Sequence, residues 1–192
     1  MTTSTPETSW QTGTPAVCST DLFGVPIVET RQMAAEGGEQ AIYTPDELAV
    51  VIVNHFKPAG RLCEPCKGGG SFLRAMPGAD WYEITEGRDF LKAQGQWDWI
   101  VTNPPWELVA EFLEKSMQCA DNIVILCWLA ALYTKARQRM IREAGFGMVE
   151  MLYVPTPLPP WPQSGFQLAA MWLRRGWTGG VQISTPNDQA HT

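Results

Sequence analysis

The stretch Trp97-Asp98-Trp99-Ile100-Val101-Thr102-Asn103-Pro104-Pro105-Trp106 decides how this chain folds. Its first six residues are mostly apolar. The prolines that follow cannot lie inside a helix, because proline lacks an amide hydrogen and its ring strikes the preceding turn. Trp97–Thr102 is therefore expected to be a buried strand. Asn103-Pro104-Pro105-Trp106 then forms a stiff, extended loop at its carboxyl end, the end where ligands bind in open α/β sheets. Such a loop can aim the Asn103 side-chain oxygen and a backbone carbonyl at one point, with the flat face of Trp106 beside them.

Working outward, the same alternation continues on both sides. Upstream, Thr44-Pro45-Asp46-Glu47 predicts a helix start, with Thr44 as N-cap, Pro45 in the first turn and Glu47 closing a capping box. Leu48, Val51, Ile52 and Phe56 then recur at helical spacing. Residues 61–64 read as a short strand running into Cys66-Lys67-Gly68-Gly69-Gly70, with a helix over 71–76 and a strand over 80–84. Downstream, a helix is expected over 107–119, a buried strand over 122–128, and a helix over 130–144 stopped by Gly145. Two late strands, 148–154 and 166–174, flank a proline-rich loop and are expected to add an antiparallel edge. Strands alternating with helices imply an α/β, doubly wound architecture, mostly parallel with an antiparallel C-terminal strand pair.

Composition sets the limits. With 192 residues, 45% hydrophobic and 18% charged, the chain suits one domain with one sizeable core, here residues 41–178. Residues 1–40 are rich in Thr, Ser, Pro and Gly and read as a flexible arm, with 22–28 docking on the body. Residues 179–192 read as a flexible tail. The apolar run over 122–132 is too short to span a bilayer, and no basic-then-apolar leader is visible, so a cytoplasmic protein is expected. Five scattered cysteines (Cys18, Cys63, Cys66, Cys119, Cys127) argue against a disulfide framework. Cys63-x-x-Cys66 lacks the further ligands a structural zinc needs, so no metal is expected.

The net charge of −6 is awkward for a nucleic-acid partner. Much of it lies in the first 40 residues, where five acids face Arg31 alone. Within the body, Lys135, Arg139 and Arg142 fall on one face of an expected helix, placed to meet phosphates or simply to face solvent.

The glycines after Glu64 permit a sharp turn and close approach to a ligand, and the next helix would offer free N–H groups there. Neither the dinucleotide fingerprint nor the Gly-Lys-Ser/Thr of a phosphate loop is present, and a plain tight turn would also explain the glycines.

Together these segments resemble the S-adenosylmethionine (SAM)-dependent amino-methyltransferases, a family that includes the DNA adenine-N6 methyltransferases. The resemblance spans about residues 43–175, in matched order along the chain. Tyr43-Thr44-Pro45 resembles the helix-opening element beside the cofactor, and Glu64 with Gly68 and Gly70 its SAM-binding motif. Glu83 stands where the family's acid binds the ribose, and Asp89-Phe90 where an Asp-Phe pair meets the adenine of SAM. Asn103-Pro104-Pro105-Trp106 matches the catalytic (Asp/Asn/Ser)-Pro-Pro-aromatic signature. The resemblance implies a Rossmann-like methyltransferase fold, SAM as cofactor, and methyl transfer to a planar amine. A second stacking aromatic is expected from Trp161 or Phe166, with a flipped base against Trp106. Lys67 departs from the pattern, and is expected to point away from the cofactor's positive sulfur.

The same motif serves RNA adenine and protein glutamine methyltransferases, so the acceptor stays open. Tryptophan at 106 and the cationic helix favour a nucleobase, with DNA preferred over RNA. No segment is large enough for a separate target-recognition region. A short or relaxed target, a single-strand preference, or a protein partner for recognition is therefore expected. Small methyltransferases of this look occur in phages and mobile elements. A non-catalytic SAM-binding module is the remaining alternative.

Overall fold

A computed structural model describes residues 43–159, 161, 165 and 167–186. The arm at 1–40, the cysteine at 18, Phe166 and the last six residues lie outside the described residues. The strands are β1 (Leu62–Glu64), β2 (Asp80–Trp81), β3 (Trp97–Thr102), β4 (Ala120–Trp128), β5 (Phe146–Val154), β6 (Leu168–Arg175) and β7 (Gln182–Ser184). The helices are α1 (Asp46–Phe56), α2 (Ser71–Ala75), α3 (Val109–Cys119) and α4 (Lys135–Glu143). The strands form one sheet in the order β2-β1-β3-β4-β6-β5-β7. β6 runs antiparallel to both its neighbours, and every other pairing is parallel.

Both faces of the sheet are covered, which is why its central strands are nearly continuous apolar runs. Along β4, Ile123, Ile125 and Cys127 point to one face and pack with Phe112 and Leu113 of α3 and Ile141 of α4. Val124 and Leu126 point to the other and pack with Leu48, Ile52 and Phe56 of α1 and Phe72 of α2. This alternation is the two-residue period of a strand with a core on each side.

Four local expectations are corrected. The late strand pair is not an edge: β6 is inserted between β4 and β5, where its backbone N–H and C=O groups pair on both sides. Within the expected tail, residues 182–184 form β7, which pairs with β5 through Glu150, Met151 and Leu152; three residues are too few to show a period. The helix expected over 130–144 is broken into a 3-10 turn, Leu129–Leu132, and α4, which restarts where Thr134 accepts the Arg137 N–H at 3.3 Å. β2 ends at Trp81 because Glu83 accepts the Thr85 N–H at 3.1 Å and opens a 3-10 turn.

The start of α1 also differs. The helix opens at Asp46 with Pro45 at the N-cap and no side-chain cap bond. Thr44, the expected cap, has its hydroxyl turned elsewhere, which forgoes about 1 kcal/mol of capping.

Leu126 is fully buried at the centre of the sheet. Leu126→Ala should lower stability to urea by about 2–5 kcal/mol; a loss below about 1 kcal/mol would contradict the packing described.

Candidate active site

The strand order reverses between β1 and β3: the chain passes from β1 to β2 on one side, and β3 enters on the other. The crevice outside the carboxyl ends of two such strands is the natural ligand site of an open α/β sheet. Glu64 ends β1 and Thr102 ends β3. The Thr102 hydroxyl donates to Glu64 Oε1 at 2.7 Å, and the Cys66 N–H donates to the same oxygen at 2.9 Å. Glu64 is 1% exposed, yet its Oε2 has no partner. Burial pushes its carboxyl up to about 8, opposed by the bonds from Cys66 and Thr102 and reinforced by the charge of Glu83.

The glycine turn is shaped by Tyr43. Gly68 has φ +47°, and a Cβ there would sit 2.7 Å from the Tyr43 ring, so only glycine fits. Gly70, at φ +83°, precedes α2. That helix is only five residues long, so the N-terminal dipole site expected after the glycines is not built. Arg74 instead ties the loop to α1, bonding the Gly69 carbonyl at 2.8 Å and Asp46 at 2.9 Å.

Glu83 accepts the Gly68 N–H at 3.0 Å, joining the turn after β2 to the glycine turn. Burial opposes its ionisation, but the Thr85 N–H and hydroxyl, the Gly68 N–H and the Lys67 charge together hold its carboxyl below the usual range. Lys67 pairs with Glu86 and lies 4.5 Å from the centre of the Trp81 ring, so its charge is engaged there. Asp89 caps the Leu91 N–H at 3.0 Å and pairs with Lys92 at 3.0 Å, and the Lys92 bond lowers its carboxyl. Phe90 is core: it is 2% exposed and stacked on Phe112 at 5.7 Å.

On the other side of the crevice, Asn103 Nδ2 donates to the Thr44 hydroxyl at 3.1 Å. Asn103 Oδ1 is buried and unpartnered. Among the described residues, it and Glu64 Oε2 are the buried side-chain polar atoms without a partner. Both belong to residues at the carboxyl ends of β1 and β3. The Pro105 carbonyl accepts the Leu108 N–H at 2.9 Å, closing the loop into a 3-10 turn that starts at Trp106.

No family model matches the sequence, and no curated protein matches it. Solved structures do. The M protein of the type I restriction enzyme EcoKI superposes with a TM-score of 0.54 at 12% identity, over 71% of this chain and 44% of that one. A protein of Pyrococcus horikoshii, provisionally assigned as an RNA methyltransferase, gives 0.53 at 11% identity over 68% and 83%. The 23S rRNA methyltransferase ErmE gives 0.52 at 16% identity over 71% and 72%. The chain has the Rossmann-like methyltransferase fold.

Within this methyltransferase fold, the aromatic wall is richer than the motif alone suggests. Trp106 is half-buried, with its ring centre 5.4 Å from Trp128 and 6.3 Å from Trp161. Trp161 is 5% exposed, edge-on to Trp106, and donates Nε1–H to the Tyr43 carbonyl at 2.8 Å. It braces the wall more than it offers a face. Trp128, the last residue of β4, is half-exposed and was missed; its signal was its place at the carboxyl end of an apolar strand.

Of the expected cations, Lys135, Arg139 and Arg142 are exposed on α4, and Arg139 pairs with Glu143 within the helix at 2.8 Å. The α4 cation that reaches the strand ends is Arg137, 6.0 Å from the Trp128 ring centre. Cys63 and Cys66 are free thiols that burial pushes up. Among the described residues no group of His, Cys, Asp and Glu is placed to hold a metal ion, and no helix is long and apolar enough to cross a membrane.

Glu64 gives a pH signature. In the unfolded chain its carboxyl ionises near 4.5, and in the native state near 8. The native state therefore keeps a proton that the unfolded chain loses. The stability this contributes is complete below about pH 4.5 and is lost as pH rises to 8. Glu64→Gln, which cannot ionise, should be more stable than the wild type at pH 8 and match it near pH 4 in urea unfolding. Equal stability at both would show that Glu64 ionises freely.

Proposed function

We propose that the chain is a SAM-dependent methyltransferase acting on the exocyclic N6 amine of adenine in DNA. The observation that carries this reading is Asn103 Oδ1, a buried acceptor without a partner in the Asn-Pro-Pro-Trp loop that ends on Trp106. An unmet buried acceptor costs about 1–3 kcal/mol, and a donor on a bound substrate would recover that.

The crevice suits SAM. The second unpartnered oxygen, Glu64 Oε2, would receive a cationic donor such as the ammonium of its methionine part once the carboxyl gives up the proton that burial retains. Gly68 and Gly70 keep side chains out of the turn, and Glu83, in the turn after β2, would offer a carboxylate for the ribose hydroxyls. Tyr43, Thr44 and Pro45 border the same turn, and Asp89 stands beyond it, braced by the buried Phe90. When bound, SAM supplies an electrophilic methyl group and leaves as a neutral thioether.

The amine of adenine is a weak nucleophile because its lone pair is delocalised into the ring. Asn103 Oδ1 and the Pro104 carbonyl would accept its two hydrogens, turning the lone pair out of conjugation and stabilising the positive charge that builds on nitrogen until one of those protons is released to water. Pro104 and Pro105 hold these acceptors stiffly, so little reorganisation is needed. Trp106 would stack the base, flipped out of a duplex or taken from a single strand. Trp128 supports the other side of the aromatic wall, with Trp161 behind it. Lys135, Arg139 and Arg142, with Arg137, would meet the phosphates. A protein partner could extend target recognition, since β-strand ends and one loop leave little surface for reading sequence.

Labelled SAM should be incubated separately with DNA, RNA and total protein. Label is expected in DNA, as N6-methyladenine. Asn103→Ala should lose at least about 100-fold in transfer while keeping SAM affinity within about threefold. Label in RNA or protein alone would reassign the acceptor to an RNA adenine or a glutamine amide. Label in none would leave a SAM-binding module without this activity.

A further inference from the structure

The chain turns at Leu129–Leu132 and restarts as α4 at Lys135, where one unbroken helix was expected. Carbonyls freed by such a break need new donors, and two side chains of α4 reach back to supply them. Arg137 Nη1 donates to the Ala131 carbonyl at 2.6 Å, and Gln138 Nε2 to the Leu132 carbonyl at 2.8 Å. From the other side, the Leu129 N–H donates to the Gln167 carbonyl at 2.7 Å, tying the turn to the segment before β6. Beside this turn lies an open hollow of about 450 Å³, lined by Trp128, Leu129, Tyr133, Met151 and Gln167.

We propose that the hollow binds the nucleobase next to the target adenine, stacked on Tyr133, read by Gln167, with its phosphate on Arg137. Trp128 is shared between the two sites. Its ring centre lies 5.4 Å from that of Trp106, and it also lines the hollow. An occupant of the hollow is therefore one aromatic side chain away from the target base. Tyr133 is 48% exposed and yet fixed in place. Its hydroxyl reaches the sulfurs of Met148 at 3.4 Å and Met151 at 3.9 Å, and its N–H donates to the Ala130 carbonyl at 3.1 Å. A ring held at its tip, with half its surface open, can stack a base with little loss of freedom.

The polar groups around the hollow fit the same occupant. The exposed Gln167 amide can offer a donor and an acceptor together to the edge of a base. Arg137 bonds a neutral carbonyl, so that contact leaves its charge uncancelled, 6.0 Å from the centre of the Trp128 ring. A guanidinium so placed suits a phosphate. A flat apolar body, a polar edge and an anionic link are the parts of a nucleotide. An apolar peptide side chain would fill the hollow and use neither the amide nor the cation. The site is separate from the Asn103 pocket, and it rests on the proposed transfer to nucleic acid.

Binding is read with fluorescent single-stranded DNA oligonucleotides that carry one adenine, intact or with an abasic site on one side of it or the other. The wild type should bind one of the two abasic strands about tenfold more weakly than the intact strand. Tyr133→Ala should bind the intact strand about tenfold more weakly and no longer distinguish it from that abasic strand. Tyr133→Phe keeps the ring and should stay within about threefold of the wild type. Gln167→Ala should lose the preference among the four bases at the same position. In transfer assays the Tyr133→Ala loss should fall on the KM for DNA, with kcat within about threefold. A wild type indifferent to both abasic strands would overturn the site, as would a Tyr133→Ala protein that still senses the missing base. A retained base preference in Gln167→Ala, or a Tyr133→Ala loss confined to kcat, would overturn it too. Should Tyr133→Ala fail to fold, the wild-type comparison and Gln167→Ala, at an exposed position, still decide. If the wild type binds these strands but transfers no methyl group, the proposed function fails, and the abasic comparison still decides the hollow. Binding to none of the strands would overturn both.

Discussion

The bond from the Thr102 hydroxyl to Glu64 Oε1 couples the ends of two neighbouring parallel strands. One oxygen of Glu64 takes both this donor and the Cys66 N–H, so the other is left inside the protein with nothing to accept. Across the crevice, the Thr44 hydroxyl engages one end of the Asn103 amide and leaves the oxygen end in the same state. Buried acceptors are nearly always satisfied in folded proteins, because each orphan carries a desolvation cost. Two of them lie on residues that end or follow adjacent strands, and in the proposed function a ligand supplies their remaining partners.

The rest of the fold can be understood as support for that pair. A sheet with a core on each face fixes β1 and β3 within one hydrogen-bonding distance, and Phe90 stacked on Phe112 anchors the turn that carries Asp89. Gly68 lets Tyr43 lie against the turn, and Arg74 with Asp46 closes the same seam from outside. Three tryptophans from three different segments, Trp106, Trp128 and Trp161, then meet at the loop that follows β3.

Much of this was legible in residues. β3 falls on Trp97–Thr102 as expected, since an apolar run ended by two prolines leaves little choice. The glycines after Glu64 and the loop at Asn103 were legible too, because their chemistry is local. What escaped was decided by distant partners. Thr44 reads as a helix cap until Asn103 is folded against it, and Phe90 reads as a cofactor contact until Phe112 stacks on it. Trp128 looks like an ordinary strand residue until β4 is laid beside β3. The insertion of β6 between β4 and β5 is a matter of lateral backbone pairing between distant segments, which local periodicity does not report.

The central claim is that Glu64 Oε2 and Asn103 Oδ1 are ligand acceptors awaiting donors. Calorimetric titration of SAM into the wild type and Glu64→Gln tests it most directly, run at pH 7 in buffers of different ionisation enthalpy. A cation meeting Glu64 should expel the proton that burial retains, so the wild type should release up to about one proton on binding. Glu64→Gln should release none and bind at least about tenfold more weakly. Equal affinity and no proton release in the wild type would contradict the account.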